Sequence, residues 1–510
     1  MKTIGEIISA ASAEAIALRA PEQPPLQYDG LVRFVAEIGG KLRQNGVARD
    51  QRVAIVLPNG PQMASAFLAV ANACIAAPLN PGYKQDEFDF YLRDLKAALL
   101  ITDDIEGPAA EAAKALGVAV ARVSTPDNAE AGIFSLDLPD SGILPLNDAS
   151  PADEALVLHT SGTTSRPKIV PLSQANVASS AFNVATSLEL KATDVCLNVM
   201  PLFHIHGLIA AVLSSLRAGA SIYCTPGFNA LKVFGWLSDA NPTWYTAVPT
   251  MHQAILSRKS RNLDTIGSLN LRLVRSSSSS LPPQVMAELE DTFGCPVVEA
   301  YGMTEAAHQM TCNPIARGAQ KPGSVGVAAG PDVQLLIDSG FTQQPEMAGE
   351  VVIRGDNVTA GYEANETANR ESFLNDPDGN GSWFRTGDQG IFDADGFLTI
   401  TGRLKEIINR GGEKISPREV DEVLLDHPVV AQAVTFAVPH EKLGEEVAAV
   451  IVAKEGVTPD TKQIRSFLTE RLANFKVPKQ ILVIDEIPKG ATGKLQRIGL
   501  HKKLGIGAAE

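Results

Sequence analysis

The chain reads as an α/β protein: a large N-terminal domain of stacked α/β sheets over residues 1–403, then a small α+β domain over residues 404–510. Three observations predict this. At 510 residues the chain exceeds one ordinary domain. Apolar strand-like runs alternate with helical stretches over most of its length, the pattern of parallel α/β sheets. Past Gly349 the pattern gives way to short β segments at turn-rich spacing, and the stretch after Arg403 is long enough for a domain of its own.

The elements follow in order. MKTIGEIISAASAEAIALRA carries acidic residues and no clean apolar core, so it is expected to be an amphipathic helix and not a signal peptide. RVAIVLPN is a buried-strand run, PQMASAFLAVANA is helical, and ACIAAPLNPG returns to strand and turn. ALLITDD and GVAVARV continue the alternation. EALVLH is an apolar strand that ends where a hydroxyl-rich run begins, and Ser173 is placed to cap a helix through SQANVASSAFNVATSL. The strands VCLNVMPLFH, ASIYCT, TWYTAV, LRLVRS and VVEAYG come next, then GEVVIRG and GFLTITGR. Ser416 and Pro417 mark a helix start, TKQIRSFLTERL is a helix, and KQILVIDEI is a last strand. The serine run Ser276–Ser280 lies tight between LRLV and LPPQVMAEL, so it is a strand-end turn and not a linker.

Composition narrows the function. A net charge of −14 argues against nucleic acid or an anionic membrane surface as the main partner, yet leaves room for a small anionic ligand that senses only local charge. No apolar run approaches the ~20 residues of a membrane helix, so no membrane insertion is expected. The five cysteines, Cys74, Cys196, Cys224, Cys295 and Cys312, are scattered without metal-ligand spacing and read as buried thiols in a reducing, cytoplasmic setting. The C-terminal GAAE is no peroxisomal address.

The segment His159–Leu172, HTSGTTSRPKIVPL, gathers hydroxyls around Gly162 and follows them with Arg166 and Lys168. It is not the familiar phosphate loop, because Pro167 stands where that pattern needs its second glycine. A polar loop between the C-terminal end of a strand and a helix is nevertheless where open α/β sheets place ligands.

The ordered set of motifs carries more than any one of them. The opening loop resembles the Thr-Ser-Gly-Thr-Thr-Gly-x-Pro-Lys-Gly signature of the adenylate-forming enzymes, the superfamily of acyl-CoA synthetases, luciferases and peptide-synthetase adenylation domains. YGMTE at Tyr301–Glu305, TGD at Thr386–Asp388, GRLKEIINRGGEKISPREVD at Gly402–Asp421 and PKGATGK at Pro488–Lys494 are similar to that family's later motifs, in the family's order. The resemblance implies an ATP-dependent ligase that joins a carboxylic acid to AMP and then to coenzyme A. Adenylation brings two anions together, so oriented donors and positive charge must offset their repulsion. Thr160, Ser161, Gly162, Thr163, Thr164 and Lys168 are the implied phosphate ligands, with Glu305 beside Mg²⁺. Thr304 is implied at the α-phosphate, Tyr301 on the adenine, Asp388 on the ribose diol, and Arg403 on ribose or phosphate. Lys494 corresponds to the catalytic lysine and Lys405 to the hinge about which a mobile C-terminal domain turns between half-reactions. Gly411, Gly412 and Lys414 are implied in the passage for the CoA thiol arm. Ser165 and Ile169 replace family glycines, which predicts a loop less permissive of positive φ.

The acid is read from fewer residues. PLFHIHGL, TWYTAVPTMHQ, RSSSSSL, EAYGMTEAAHQM and NRGGEKISP resemble the oxalate–CoA ligase branch of the superfamily. His204, Ser278 and His308 are the expected acid-binding residues, since a pocket of serine and histidine suits a small polar acid better than a fatty chain. A different acid (another small one, medium-chain or aromatic), transfer to a carrier protein, and a nucleotide-binding sensor that has lost catalysis are the alternative readings.

Overall fold

The computed structural model describes residues 1–139, 148–160, 167–379, 381–488 and 497–506. The chain divides into two compact units, one built from Met1–Thr160, Lys168–Val333 and Ile353–Phe384, the other mainly from Gln334–Val352 and the chain from Arg385 onward. The boundary expected at 403/404 thus lies inside the second unit, where Arg403 ends a strand (Leu398–Arg403) paired with the strand that carries Asp388.

The first unit holds two sheets. Across the nine-stranded one the order is Val327–Ala328, His308–Cys312, Val297–Met303, Leu273–Ser276, Trp244–Ala247, Val195–Asn198, Ser221–Cys224, Ile16–Ala20 and Gln23–Gln27. Its central pairings are parallel and its outer ones antiparallel. The seven-stranded sheet is likewise parallel from Ala119–Ser124 through Glu154–His159, with an antiparallel strand at each edge. Helices pack Leu237, Ile255 and Leu289 onto Leu197, Tyr245, Val274 and Val297 of the first sheet. Phe88, Leu92 and Ala110 cover Ala54, Val56 and Leu100 of the second. Each fully buried large apolar side chain contributes roughly 1.5–3 kcal/mol relative to exposure. A six-stranded sheet is formed by Gly340–Thr342, Asp332–Ile337, Ala348–Arg354, Ser382–Phe392 and Phe373–Asn375, with Leu398–Arg403 paired to Ser382–Phe392. In the second unit a five-stranded sheet, built around the long hairpin Val430–His440 and Gly444–Ala453, packs Val447 and Ile451 against Val420, Leu424 and Ile464 of two helices.

Most expected elements are present. PQMASAFLAVANA is the helix Pro61–Ala73, EALVLH is the strand Glu154–His159, and Ser416 caps the helix Pro417–Leu425 through Glu419 N–H. Three expectations need correcting. The N-terminal segment is not one helix. It is a short helix, Ile4–Ser9, followed by the strand Ile16–Ala20, because Leu18 and Arg19 pair in parallel with Ile222 and Tyr223, and that pairing overrides local helix propensity. The hydroxyl-rich run does not lead straight into a helix. Ile169–Ser173 first forms an antiparallel edge strand against Glu154–His159, and the helix Gln174–Ser187 starts only after it, capped by Ser173 as expected. Ile169 is therefore a buried core residue, and Pro171 sits on an edge strand where a missing N–H is tolerated. The run VCLNVMPLFH is strand only over Val195–Asn198, after which the chain turns into a π-helix, His206–Leu213.

Candidate functional site

The parallel strands Trp244–Ala247, Leu273–Ser276 and Val297–Met303 end side by side, the position where open α/β sheets bind ligands. Thr246 and Arg275 are direct neighbours in register, and both are fully buried. Ser278 lies just past its strand on the exposed side, at φ +71°, a left-handed conformation unusual for serine. His206, the first residue of the π-helix, reaches both strands. Its Nδ1 is 2.9 Å from Ser278 Oγ and its Nε2 is 2.6 Å from Thr246 Oγ1. A π-helix is rare and recurs at functional sites. Here the close turn is made by Gly207, where any Cβ would lie 2.4 Å from the Pro201 carbonyl oxygen. The His308 ring stacks on His206 at 4.9 Å between centroids. His308 is buried at φ +111°, and its carbonyl comes so near Gly302 that a Cβ there would sit 1.7 Å away. Burial, followed by the charges of His308 and Arg275, holds the His206 imidazole well below its ordinary value, so the ring is neutral.

Of the three expected acid-binding residues, Ser278 and His308 meet around His206, whereas the His204 ring lies against Phe203 at 4.5 Å. Arg275 was missed, and of the two histidines of PLFHIHGL, both legible beside the pocket, His204 and not His206 was the expected ligand. Arg275 had a readable signal: a cation inside the four-residue apolar strand LVRS, buried at every position. His206 shared its signal with His204, because two histidines two residues apart in PLFHIHGL are distinguished only by the turn into the π-helix.

The strand ends that flank the hydroxyl-rich run are held together. Thr160 N–H donates to the Lys168 carbonyl at 2.9 Å, and Lys168 N–H donates to Thr160 Oγ1 at 3.3 Å. Ser161, Gly162, Thr163 and Thr164 lie outside the described residues, as does Lys494. The Lys168 ammonium sits 4.2 Å over the Tyr362 ring, and the Tyr362 hydroxyl donates to Glu305 Oε1 at 2.8 Å. Glu305 is buried in the 3₁₀ turn Thr304–Ala306 that joins the strands carrying Tyr301 and His308. Asn357 braces that turn through the carbonyls of Ala306 and Gln309, and Thr359 N–H donates to the Glu305 carbonyl. Tyr301 and Thr304 are partly exposed at its edge. Among the described residues no cluster of three or more His, Cys, Asp or Glu could hold a metal ion alone. Mg²⁺ is commonly bound by one or two carboxylates plus phosphate oxygens, and Glu305 is the carboxylate expected beside it from the sequence.

In the second unit Asp388 pairs in register with Arg403, and Arg403 Nε lies 3.2 Å from Asp388 Oδ1. Asp388 lies within the strand Ser382–Phe392, where the backbone ahead of it is set by Gly387 at φ +74°, whose N–H donates to Glu350, and by Thr386 Oγ1, which accepts from Asp388 N–H. Glu350 also accepts two bonds from the Arg385 guanidinium. Lys405 is exposed in the turn after Arg403, where the N–H groups of Glu406 and Ile407 both donate to the Arg403 carbonyl. Gly411 and Gly412 form the two-residue turn of the hairpin Ile408–Arg410/Glu413–Ile415, at φ +59° and +98°. Turns of this kind need positive φ at both positions, and glycine supplies it freely. Lys414 is exposed beside it. Arg497, soon after Lys494, is tied to Asp421 at 2.6 Å and to Glu406 at 3.2 Å.

A sequence profile described as AMP-binding enzyme matches residues 9–363, and one described as AMP-binding enzyme C-terminal domain matches residues 419–494. The chain is 46% identical over 459 residues to a protein of Arabidopsis thaliana named oxalate–CoA ligase, covering 89% of this chain and 88% of that one. A Saccharomyces cerevisiae protein of the same name is 40% identical, with 88% of this chain and 86% of that one covered. The crystal structure of ATP-bound MatB from Rhodopseudomonas palustris superposes with a TM-score of 0.88 at 28% identity, over 98% of each chain. With one profile spanning well over half its length and these relatives matching most of the rest, the chain belongs to the AMP-binding enzyme family.

Proposed function

We propose that this protein joins oxalate to coenzyme A, giving oxalyl-CoA, AMP and pyrophosphate. The chain is an AMP-forming acid–CoA ligase that uses ATP, Mg²⁺ and CoA. The observation that carries oxalate is the polar group at the strand ends, buried His206 and His308 with exposed Ser278, and the Arg275 cation behind it. A fatty or aromatic acid wants apolar walls there, whereas a two-carbon dianion needs donors for the carboxylate that does not react. The relatives named oxalate–CoA ligase support the same reading.

In the first half-reaction one carboxylate oxygen attacks the α-phosphorus, the bond from that phosphorus to the bridging oxygen breaks, and pyrophosphate leaves with the electron pair. Bound at Glu305, Mg²⁺ supplies positive charge for the phosphates. Thr160, Ser161, Gly162, Thr163, Thr164 and Lys168 hold the β- and γ-phosphates, Thr304 the α-phosphate and Tyr301 the adenine, while Asp388 and Arg403 take the ribose. Lys494 offsets charge at the α-phosphate. In the second half-reaction the CoA thiol loses its proton, attacks the acyl carbon and expels AMP. Residues 404–510 turn about Lys405 between the two steps, and Gly411, Gly412 and Lys414 then flank the thiol arm. Five buried free cysteines suit a reducing compartment such as the cytoplasm, and among the described residues no helix is long and apolar enough to cross a membrane.

The test is steady-state CoA ligation with oxalate, malonate, acetate, octanoate and a cinnamate. Oxalate should give the highest kcat/KM. A tenfold or greater preference for octanoate or the cinnamate overturns oxalate and leaves the ligase chemistry intact.

A further inference from the structure

Arg275 is a fully buried cation whose hydrogen-bond partners among the described residues carry no carboxylate. Its neighbours are neutral: Nη1 lies 3.4 Å from both Thr246 Oγ1 and His206 Nε2, and Nη2 donates to Gln309 Oε1 at 3.2 Å. Burial pushes its pKa down to about 10, which still leaves it charged at neutral pH. A lone buried charge is costly, so an arginine kept here points to a role beyond packing.

The network has a direction, and each donor fixes the next. Gln309 Nε2 donates to the Ala329 carbonyl, which can only accept, so Oε1 is the end that faces Arg275. Guanidinium has donors and no acceptor. Thr246 Oγ1 therefore accepts from Arg275 Nη1, and its single hydrogen goes to His206 Nε2 at 2.6 Å. An Nε2–H would meet the Arg275 donor head-on and leave the Thr246 hydrogen without an acceptor. The neutral His206 ring thus carries its hydrogen on Nδ1, which donates to Ser278 Oγ at 2.9 Å. With its oxygen engaged as acceptor, the exposed Ser278 hydroxyl has its hydrogen left to give outward.

We propose that Arg275 is a positioning residue for acid selection: acting through Thr246 and His206, it makes the Ser278 hydroxyl a one-way donor, so the site favours an anionic end group over a neutral one. The consequence rests on the acid being bound at Ser278, as proposed above. The hydrogen-bond direction itself does not depend on which acid that is.

The test has two arms. In protein labelled with ¹⁵N-histidine, with the His206 signals identified by their loss in His206→Gln, the free enzyme should show a protonated Nδ1 and a bare Nε2. An Nε2–H tautomer overturns the proposal. In the second arm, ligation is compared for oxalate and for oxamate, whose far end is a neutral amide. Wild type should prefer oxalate, and Arg275→Gln should shrink that preference at least tenfold, because its amide can accept from Nε2–H and free Ser278 to accept in turn. Arg275→Lys should keep most of the preference. Should Arg275→Gln fold poorly, Arg275→Leu, which removes the donor that faces Nε2 without adding a buried polar group, should shrink it likewise. Equal losses for both acids in these variants mark a merely structural role and overturn the proposal. A wild type inactive on oxalate that nonetheless shows the Nδ1–H tautomer overturns the oxalate assignment and supports the hydrogen-bond direction.

Discussion

Tyr362 stands between a cation and a carboxylate, with the Lys168 ammonium over its ring and its hydroxyl on Glu305. Burial, then the nearby Glu305 charge, raises the tyrosine pKa, so the phenol stays protonated and acts as donor. Tyr362→Phe keeps the ring under Lys168 and removes only the bond to Glu305. It should lower ATP–pyrophosphate exchange about tenfold, the equivalent of ~1.4 kcal/mol, whereas Glu305→Gln should cost 10²-fold or more. Exchange assays over a Mg²⁺ series check both, and a Tyr362→Phe enzyme as impaired as Glu305→Gln would contradict these roles. A second residue-scale prediction concerns pH. Burial pushes His252 down to about 3, below the ordinary histidine value, and shifts His206 in the same direction. Between those values the unfolded chain binds a proton that the folded protein does not. The stabilising contribution is therefore complete above pH ~6.5 and declines as pH falls toward 3, by up to ~1.4 kcal/mol per pH unit for each such histidine. Urea midpoints measured from pH 8 to 4.5 should fall below pH ~6.5, and His252→Gln should flatten the slope.

At the scale of elements, the Gly411–Gly412 turn has a conformational duty besides its proposed part in thiol transfer. The sequence reading assigned these glycines to the thiol passage, and the structure gives them a conformational duty in the hairpin. A Cβ on Gly412 meets nothing within 4 Å, so Gly412→Ala isolates the backbone effect. The strain of a left-handed alanine, ~1–2 kcal/mol, is the expected loss of stability. Thioester formation from preformed acyl-adenylate should fall more than pyrophosphate exchange, and equal falls would leave Gly412 with a conformational role only. The π-helix makes the complementary point, since its irregular turn, packed close at Gly207, is what brings His206 onto the strand ends.

At the scale of the whole molecule, the question is what Lys405 and Lys494 do across the two half-reactions. Lys405 lies in an exposed turn whose hydrogen bonds run from Glu406 and Ile407 to Arg403. Proline at 405 should therefore act by fixing φ and not by breaking those bonds. Lys405→Pro is expected to depress one half-reaction far more than the other, and changes within about threefold in both, ~0.7 kcal/mol, would place the hinge elsewhere. Lys494→Ala should cut pyrophosphate exchange by roughly 10²–10³-fold, the scale of losing one transition-state donor, while thioester formation from preformed adenylate survives. Equal damage to both steps would contradict the two-conformation reading.

The sequence by itself determined the α/β class, the family and the local devices, because each is written in a few adjacent residues. Ser416–Pro417 caps one helix and Ser173 another, both through backbone preferences that act over a few positions. Tertiary structure decided what depends on distant pairing. IALRA became a strand because Leu18 and Arg19 meet Ile222 and Tyr223, and IVPLS became one because Ile169 meets His159 across the hydroxyl-rich loop. The proposed acid site was decided the same way. Parallel register sets Thr246 beside Arg275, and the π-helix swings His206, not His204, onto Thr246 and Ser278. Residues so far apart in the chain meet only after long loops have closed, and no local pattern in the sequence records which of them will touch.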